Sequence, residues 1–324
     1  MLSIESYHNE FLNFLDKHSK TKEPKNLYEP IQYILGLGGK RLRPVLTLMT
    51  TEIFDGNHKT ALYAALSVEV FHNFSLVHDD IMDDASLRRG QYTVHEKWNV
   101  NTGILSGDAM LIMAYQLFEN YDDSIFKALA KLFSKTALEV CEGQQYDIDF
   151  ETRDTVTITE YLKMIEYKTA VLVATAMQMG AIIAKAPIKA QSLIYEFGKN
   201  LGIAFQLQDD YLDAFGNTET FGKQIGGDII ENKKTYLFIK ALEFSSVEEQ
   251  QELKDLFRLT PNNSAHKIER VKHIFEASGA SKESRREIEN YTQKAFAILD
   301  SIPISEDKKS VLKQLGTTLM SRNV

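Results

Sequence analysis

The sequence predicts an all-α protein, and three observations support this fold class. Apolar residues recur at the three- and four-residue spacing of amphipathic helices along almost the whole chain. Helix-breaking residues are few, with 6 prolines and 17 glycines in 324 residues. No short run alternates apolar and polar side chains between turn residues, as a half-buried strand would. We therefore expect one large helical domain that covers residues 1–324.

The first quarter of the chain contains four predicted helices. Residues 2–18 and 27–35 have amphipathic spacing. Pro44 suits the first turn of a third helix, where its missing N–H costs no hydrogen bond. The fourth helix, residues 67–83, is a long apolar stretch that ends in aspartates.

Predicted helices also fill the rest of the chain. Their ranges before residue 213 are 102–118, 124–147, 158–185 and 197–212. After residue 235 amphipathic helices continue, with breaks at 261–263 and 302–303. This C-terminal part has no recognisable chemistry, so we expect its role to be packing.

Composition excludes some classes of function. The net charge of −8 and the isoelectric point near 5.6 argue against binding of nucleic acid, which requires clustered Lys and Arg. The single cysteine, Cys141, lies in an apolar helical setting that indicates core packing. The first 20 residues have neither the apolar core of a signal peptide nor a membrane span, so we expect a cytoplasmic protein.

The first candidate site is an acidic cluster at the end of the fourth helix. Asp79 and Asp83 are four residues apart and share one helix face, so their carboxylates can bind one Mg²⁺. Arg88 and Arg89 follow and can pair with a polyphosphate. Taken alone, such a cluster is more typical of a solvated helix end.

A second acidic cluster strengthens the metal interpretation. Residues 206–213 repeat the spacing Asp-Asp-x-x-Asp at the end of another apolar stretch. Asp209 and Asp213 share a face, with Gln206 about a turn behind them. If both acidic ends point into one cavity, they can hold several divalent ions and a diphosphate between them.

Three further segments place cations where they can reach an anion. Gly39-Lys40-Arg41-Leu42-Arg43 leads from a glycine turn into a helix with three cations, although a solvated loop would look the same. Lys168 and Thr169 lie within a predicted helix, and Thr169 can bend that helix by bonding back to a carbonyl. The glycine-interrupted loop at 222–234 carries lysines that can close over a ligand.

Together these segments resemble a trans-isoprenyl diphosphate synthase of the polyprenyl synthetase family. The matches run in the family's order over residues 36–234, from the Gly-Lys-Arg segment through the two aspartate motifs to the lysine loop. The resemblance implies a single helical domain of the isoprenoid synthase type with a deep central cavity, usually a homodimer. It also implies condensation of isopentenyl diphosphate with an allylic diphosphate.

The resemblance assigns a role to each candidate residue. Three Mg²⁺ ions would be ligated by Asp79, Asp83 and Asp209. The allylic diphosphate would be bound by Arg88, Lys168, Lys223 and Lys233, and isopentenyl diphosphate by Lys40, Arg43, His72 and Arg89. The dipoles of Thr169 and Gln206 would stabilise a carbocation.

Product length depends on what closes the cavity below the first acidic cluster. At about 1.5 Å per residue, Ser75, Phe74 and Phe71 lie roughly 6, 7.5 and 12 Å below Asp79. Helical-wheel geometry favours Phe71 as the floor, whereas the family pattern favours Phe74. The pattern resembles short-chain synthases, so we expect a geranylgeranyl (C20) product ahead of farnesyl (C15).

Two alternatives stay open at this point. A class I terpene cyclase also ionises a diphosphate, but it usually carries a different second motif, and this chain has cations for a second diphosphate. A non-catalytic subunit of a heteromeric synthase would be expected to have degenerate aspartate clusters, and both clusters are intact here.

Overall fold

A computed structural model describes residues 1–216, 225–259, 261 and 263–321. Helices dominate these residues, so the prediction of an all-α protein is confirmed. Over the described ranges, β structure is limited to one antiparallel hairpin, in which Leu87 pairs with Tyr92 and Arg88 with Gln91. No helix in the described ranges is long and apolar enough to cross a membrane.

The N-terminal helices lie close to their predicted ranges. They are α1 (Ile4–His18), α2 (Lys25–Gly36), α3 (Leu42–Ile53), α4 (Leu62–Met82), α5 (Val94–Lys97) and α6 (Val100–Gln116). The hairpin, β1 (Leu87–Arg88) and β2 (Gln91–Tyr92), separates α4 from α5. Pro44 lies in the first turn of α3, as predicted.

The later helices differ from prediction in one internal division, in the earlier start of the helix predicted at 197–212, and in a short helix within the predicted loop at 222–234. They are α7 (Asp123–Thr152), α8 (Ile158–Ile165), α9 (Val171–Ile183), α10 (Ile188–Phe215), α11 (Gly227–Ile230), α12 (Tyr236–Phe244), α13 (Val247–Leu256), α14 (Ala265–Ala277), α15 (Ala280–Asp300) and α16 (Glu306–Met320). The helix predicted at 158–185 is divided by a π-helical turn at Glu166–Ala170. Cys141 is exposed on α7, so its predicted place in the core is wrong.

The chain forms two compact units. Unit 1 comprises Met1–Ser134 and Thr175–Ser192, and unit 2 comprises Lys135–Ala174 and Leu193–Val324. The expectation of one domain over residues 1–324 stays a prediction.

Unit 1 is built around α4. This helix is apolar on nearly every face and packs against α3 and α6, which is why most of it is buried. Aromatic rings also pack beside α4: Phe71 of α4 meets Phe133 of α7 edge-on with ring centroids 5.0 Å apart, and the Phe118 ring centroid lies 5.3 Å from that of Phe133.

The core of unit 2 joins the second half of α10 to the C-terminal helices. Its buried residues include Tyr161, Leu207, Phe238 and Phe275. In this unit α14 packs against the short helix α11, which follows the second aspartate motif. The C-terminal helices therefore support the segment that carries site residues.

Candidate active site

The first aspartate motif lies at the C-terminal end of α4. Asp79 and Asp83 are one turn apart, since the Asp83 N–H donates to the Asp79 carbonyl oxygen at 2.9 Å. The Asp79 side chain is 21% exposed and Asp83 is exposed. Accessible carboxylate oxygens are the donors that a partly hydrated Mg²⁺ prefers, so this pair fits the metal.

Asp80, the second residue of the motif, is fully buried and paired with Arg88. The Arg88 Nε lies 2.8 Å from both Asp80 oxygens, and Nη2 lies 2.6 Å from Oδ1. Burial raises the pKa of Asp80, and Arg88 opposes this effect. Burial would lower the pKa of Arg88, but its hydrogen bonds to Asp80 outweigh burial and raise it. The pair holds Arg88 beside Asp79, 3.8 Å from its Oδ2.

The hairpin places the two consecutive arginines, Arg88 and Arg89, in different surroundings. Arg88 lies on β1, whereas Arg89 and Gly90 form the turn, with φ of +53° and +74°. The Arg89 Nη1 donates to the carbonyl of Gly38. A Cβ on Gly39 would lie 2.7 Å from Arg89 Nη2 and would displace this guanidinium, and the φ of +120° at this position also favours glycine.

A cluster of cations surrounds His72 on α4. Its Nε2 lies 3.3 Å from Arg43 Nη1, and Lys40 is exposed on the neighbouring turn. Burial holds the pKa of His72 well below its usual value, and Arg43, Arg89 and Arg88 lower it further. A neutral imidazole among guanidinium groups is a favourable environment for an anion. Unit 1 thus brings together the four residues predicted to bind isopentenyl diphosphate.

Arg41 does not belong to that cluster's anion site. It is buried in a left-handed conformation at φ +46°, pairs with the buried Glu69, and donates to the Leu35 carbonyl. The expectation that all three cations of the 40–43 segment suit a phosphate is therefore wrong for Arg41. Its guanidinium joins α2, α3 and α4 instead.

The second aspartate motif lies near the end of α10, and in the described part of the chain its middle residue is hydrogen-bonded by uncharged side chains. The Tyr161 hydroxyl donates to Asp210 Oδ2, and the Gln206 Nε2 donates to Oδ1 at 2.8 Å. Burial raises the pKa of Asp210 to about 7 against these hydrogen bonds, and the charges of Asp209 and Asp213 contribute to the increase. Asp209 is half-buried and offers carboxylate oxygens of the kind that Mg²⁺ prefers.

Asp213 organises the segment that follows the motif. Its Oδ2 accepts the Asp228 N–H at 3.0 Å, and its carbonyl accepts the Gly226 N–H at 2.7 Å. A carboxylate at the start of α11 satisfies backbone N–H groups that have no partner within the helix. Burial raises the pKa of Asp228 well above its usual value, and Asp210 and Asp213 raise it further.

Lys168 and Thr169 lie in the π-helical turn between α8 and α9. Such turns widen a helix locally and often mark functional sites. Two glycines let neighbouring helices approach this turn closely. A Cβ on Gly143 would overlap the Lys168 backbone, and a Cβ on Gly202 would lie 2.7 Å from the last residue of the turn.

The π-helical turn connects to the second motif through side chains. Lys168 Nζ donates to Asp147 at 2.6 Å. The Thr169 hydroxyl donates to Gln206 Oε1 at 3.1 Å, and Gln206 in turn donates to Asp210. The predicted bond from Thr169 to a helix carbonyl is therefore wrong, and the hydroxyl instead fixes the amide of Gln206.

A cavity of about 110 Å³ opens beside these residues in unit 2. Its polar lining consists of Asp147, Glu151, Tyr161, Lys168, Thr169, Gln206, Asp210, Asp228, Lys233, Lys234 and Thr235. Lys233 Nζ lies 2.8 Å from Glu231; burial would lower its pKa, but Glu231 and Asp228 raise it well above the usual value. Lys234 Nζ donates to the carbonyls of Phe150 and Glu151, which ties the lysine segment to the end of α7.

Each unit thus contains some of the predicted site residues. Lys223 lies outside the described residues, and the proximity of the two aspartate motifs stays a prediction. Sequence reasoning missed Tyr161, which was visible only as an apolar position of a helix. No local signal identifies it as the partner of Asp210, 49 residues away.

Comparison with known proteins places this arrangement in a family. A model described as Polyprenyl synthetase matches residues 24–277. A geranylgeranyl pyrophosphate synthase of Geoglobus acetivorans is 36% identical over 310 residues, covering 94% of this chain and 93% of the relative. A geranylgeranyl diphosphate synthase of Saccharolobus solfataricus is 36% identical over 326 residues, covering 98% and 97%. A crystal structure of a geranylgeranyl pyrophosphate synthase is 55% identical with a TM-score of 0.96, covering 100% of both chains.

The helical fold, the paired aspartate motifs and the separate cation cluster define an all-α enzyme of the isoprenoid synthase type. Within that class, the chain belongs to the polyprenyl synthetase family.

Proposed function

We propose that this protein is a Mg²⁺-dependent trans-prenyltransferase that condenses isopentenyl diphosphate with allylic diphosphates and makes geranylgeranyl diphosphate. The observation that carries the proposal is the combination of two intact aspartate motifs with a separate cation cluster around His72. The motifs suit one metal-bound diphosphate, and the cluster suits a second diphosphate without metal. The names of the relatives support the C20 product.

The allylic diphosphate is bound at the aspartate motifs. Asp79, Asp83 and Asp209 would hold three Mg²⁺ ions, whose positive charge would assist the departure of diphosphate from the allylic carbon. Lys168 and Lys233 add cations at the cavity of unit 2.

Isopentenyl diphosphate is bound by the cations around His72. Lys40, Arg43 and Arg89 pair with its diphosphate, and its alkene attacks the allylic carbocation. The Thr169 hydroxyl oxygen and the Gln206 carbonyl stabilise that cation by their dipoles. The proton lost at the end passes to the departing diphosphate, so no side-chain base is required.

We propose that the rings of Phe71 and Phe74 close the substrate cavity below the first motif. Their centroids are 5.5 Å apart, and Phe71 is fully buried, whereas Phe74 keeps 8% exposure and packs against His78. This favours Phe74 as the ring that meets the growing chain, with Phe71 supporting it from behind. Phe74→Ala should shift the main product beyond C20, and Phe71→Ala should shift it less. Unchanged products in both variants would refute this floor.

We also propose that the protein is a homodimer in the cytoplasm. The α6 helix exposes Ile104, Leu105 and Ile112, which lie on one face and form an apolar stripe suited to self-association. Light scattering should give twice the chain mass, and Leu105→Glu with Ile112→Glu should reduce it to the monomer mass. A single free cysteine is consistent with a reducing compartment.

One assay tests the proposed reaction against its alternatives. The purified chain is incubated with Mg²⁺ and dimethylallyl, geranyl or farnesyl diphosphate, with and without isopentenyl diphosphate, and the products are separated by chromatography. We expect C20 diphosphate only when isopentenyl diphosphate is present. A hydrocarbon formed without it would indicate a terpene cyclase, and inactivity of the chain alone would indicate a subunit that requires a partner.

A further inference from the structure

Lys267 of α14 is a buried lysine without a carboxylate partner in the described ranges. It is 3% exposed. Its Nζ donates to Asn232 Oδ1 at 2.6 Å and to the Leu259 carbonyl at 3.0 Å, and the Phe257 ring centroid lies 5.6 Å away. Burial lowers the pKa of Lys267. Both hydrogen-bond partners are neutral, so the desolvation of the ammonium is not offset by an opposite charge.

An ammonium in this position is costly for the fold. An apolar side chain of similar length would fill the same space without that desolvation cost. The ammonium differs from such a side chain in one respect, which is that it can donate several hydrogen bonds in fixed directions. We therefore look for the role of Lys267 in the residues that its hydrogen bonds hold in place, Asn232 and Leu259.

Asn232 occupies the turn directly before Lys233. It has a left-handed backbone with φ of +60°, which asparagine tolerates better than most residues. Its N–H bonds the Ile229 carbonyl at 3.3 Å, and the Lys233 N–H bonds the Asp228 carbonyl at 2.9 Å. The backbone conformation of Asn232 thus sets the position of the Lys233 Cα, from which its side chain extends.

The residue after Lys267 contacts the other end of the same segment. Gly226 has φ of +81°, and a Cβ there would lie 2.9 Å from the Ile268 side chain. Neighbouring residues of α14 therefore contact both ends of the segment 226–232, one through packing and one through a charged hydrogen bond. This segment carries Asp228 and leads into Lys233, both of which line the cavity of unit 2.

We propose that Lys267 is a positioning residue that fixes the Asn232 turn, so that Lys233 is presented to the allylic diphosphate. The inference rests on the proposed function, in which Lys233 binds that substrate. Lys267 itself touches no substrate. Its loss would leave the Asn232 and Leu259 oxygens without their donor and let the turn adopt other conformations, of which only some present Lys233.

The test is steady-state kinetics of Lys267→Met and Asn232→Ala, with each substrate varied in turn. Lys267→Met should raise the KM for farnesyl diphosphate about tenfold, as for loss of one hydrogen bond from a charged donor, and leave the KM for isopentenyl diphosphate within about twofold. Asn232→Ala should have a similar effect. The double variant should resemble either single variant, because both changes break the same bond.

Lys254→Met is the matched control, because Lys254 is an exposed lysine on α13 and should leave both KM values unchanged. Equal changes in both KM values, or a lower free energy of unfolding with unchanged kinetics, would overturn the positioning role. If Lys267→Met does not fold, Asn232→Ala decides the question, since it removes the side-chain acceptor and keeps the Lys267 side chain. An inactive wild-type chain would overturn the proposed function as well, whereas an active wild type with an unaffected Asn232→Ala variant overturns this inference alone.

Discussion

The two aspartate motifs have the same spacing in sequence but differ in how they accommodate their middle carboxylate. In unit 1, Asp80 is buried against Arg88, which donates to both of its oxygens. In unit 2, Asp210 is buried against Tyr161 and Gln206, which carry no charge, and burial raises its pKa to about 7. An arginine neutralises the first carboxylate, and a proton can neutralise the second.

The shared spacing of the two motifs therefore determines the position of their first carboxylate but not the surroundings of their middle carboxylate. The outer residues, Asp79 and Asp209, keep accessible oxygens in both units. The middle residues hold other parts of the site in place: Asp80 holds Arg88, and Asp210 completes the chain from Thr169 through Gln206. The two motifs therefore share a first carboxylate that is not fully buried, and they differ in what their middle carboxylate holds in place.

The largest expected effect tests the shared part of the comparison. Asp79→Ala and Asp209→Ala should each lower kcat roughly 100- to 1000-fold at saturating Mg²⁺. In the proposed mechanism each change removes a ligand of the Mg²⁺ ions whose charge stabilises the leaving diphosphate. Asp16 lies on the exposed face of α1, so Asp16→Ala should leave kcat unchanged. Near-normal turnover in either motif variant would show that the motifs are not equivalent.

The next effect tests the part in which the motifs differ. Asp80→Asn removes the buried charge that is hydrogen-bonded to the Arg88 guanidinium and should lower the free energy of unfolding by roughly 3 kcal/mol. Asp210→Asn replaces a carboxyl group that is about half protonated at pH 7 with a neutral amide, and it should cost about 1 kcal/mol. Urea unfolding at pH 7 without Mg²⁺ measures both values. Equal losses would mean that the two middle carboxylates are in the same charge state.

A third effect concerns the cation cluster of unit 1. The pKa of His72 is lowered in the folded state, so below about pH 6.5 the unfolded chain binds a proton that the folded chain does not. Stability from this group is fully present above that pH and is lost as pH falls. His72→Gln should flatten the decline in unfolding free energy between pH 7.5 and about pH 5. His266 is exposed, so His266→Gln should keep the wild-type slope. An unaltered slope in His72→Gln would show that His72 does not cause the decline in stability.

The features that followed from sequence are those that depend on neighbours along the chain. The helices and the one-turn separation of Asp79 and Asp83 are set by local periodicity. Tyr161 with Asp210 and Arg41 with Glu69 depend on contacts between distant helices, and no local pattern encodes them. The hairpin at 87–92 was missed because two-residue strands are too short to alternate visibly.

The smallest effect isolates the hydrogen-bond chain that runs from Thr169 through Gln206 to Asp210 of the second motif. Thr169→Val removes the hydroxyl that donates to Gln206 and keeps the side-chain volume, so the loss should be about 1 kcal/mol, or roughly fivefold. Since Gln206 faces the reacting carbon in the proposed mechanism, the loss should appear in kcat and not in the KM for either substrate. Thr318→Val, on the exposed face of α16, is the matched control. A change in KM alone would mean that Thr169 binds substrate directly and does not act through Gln206.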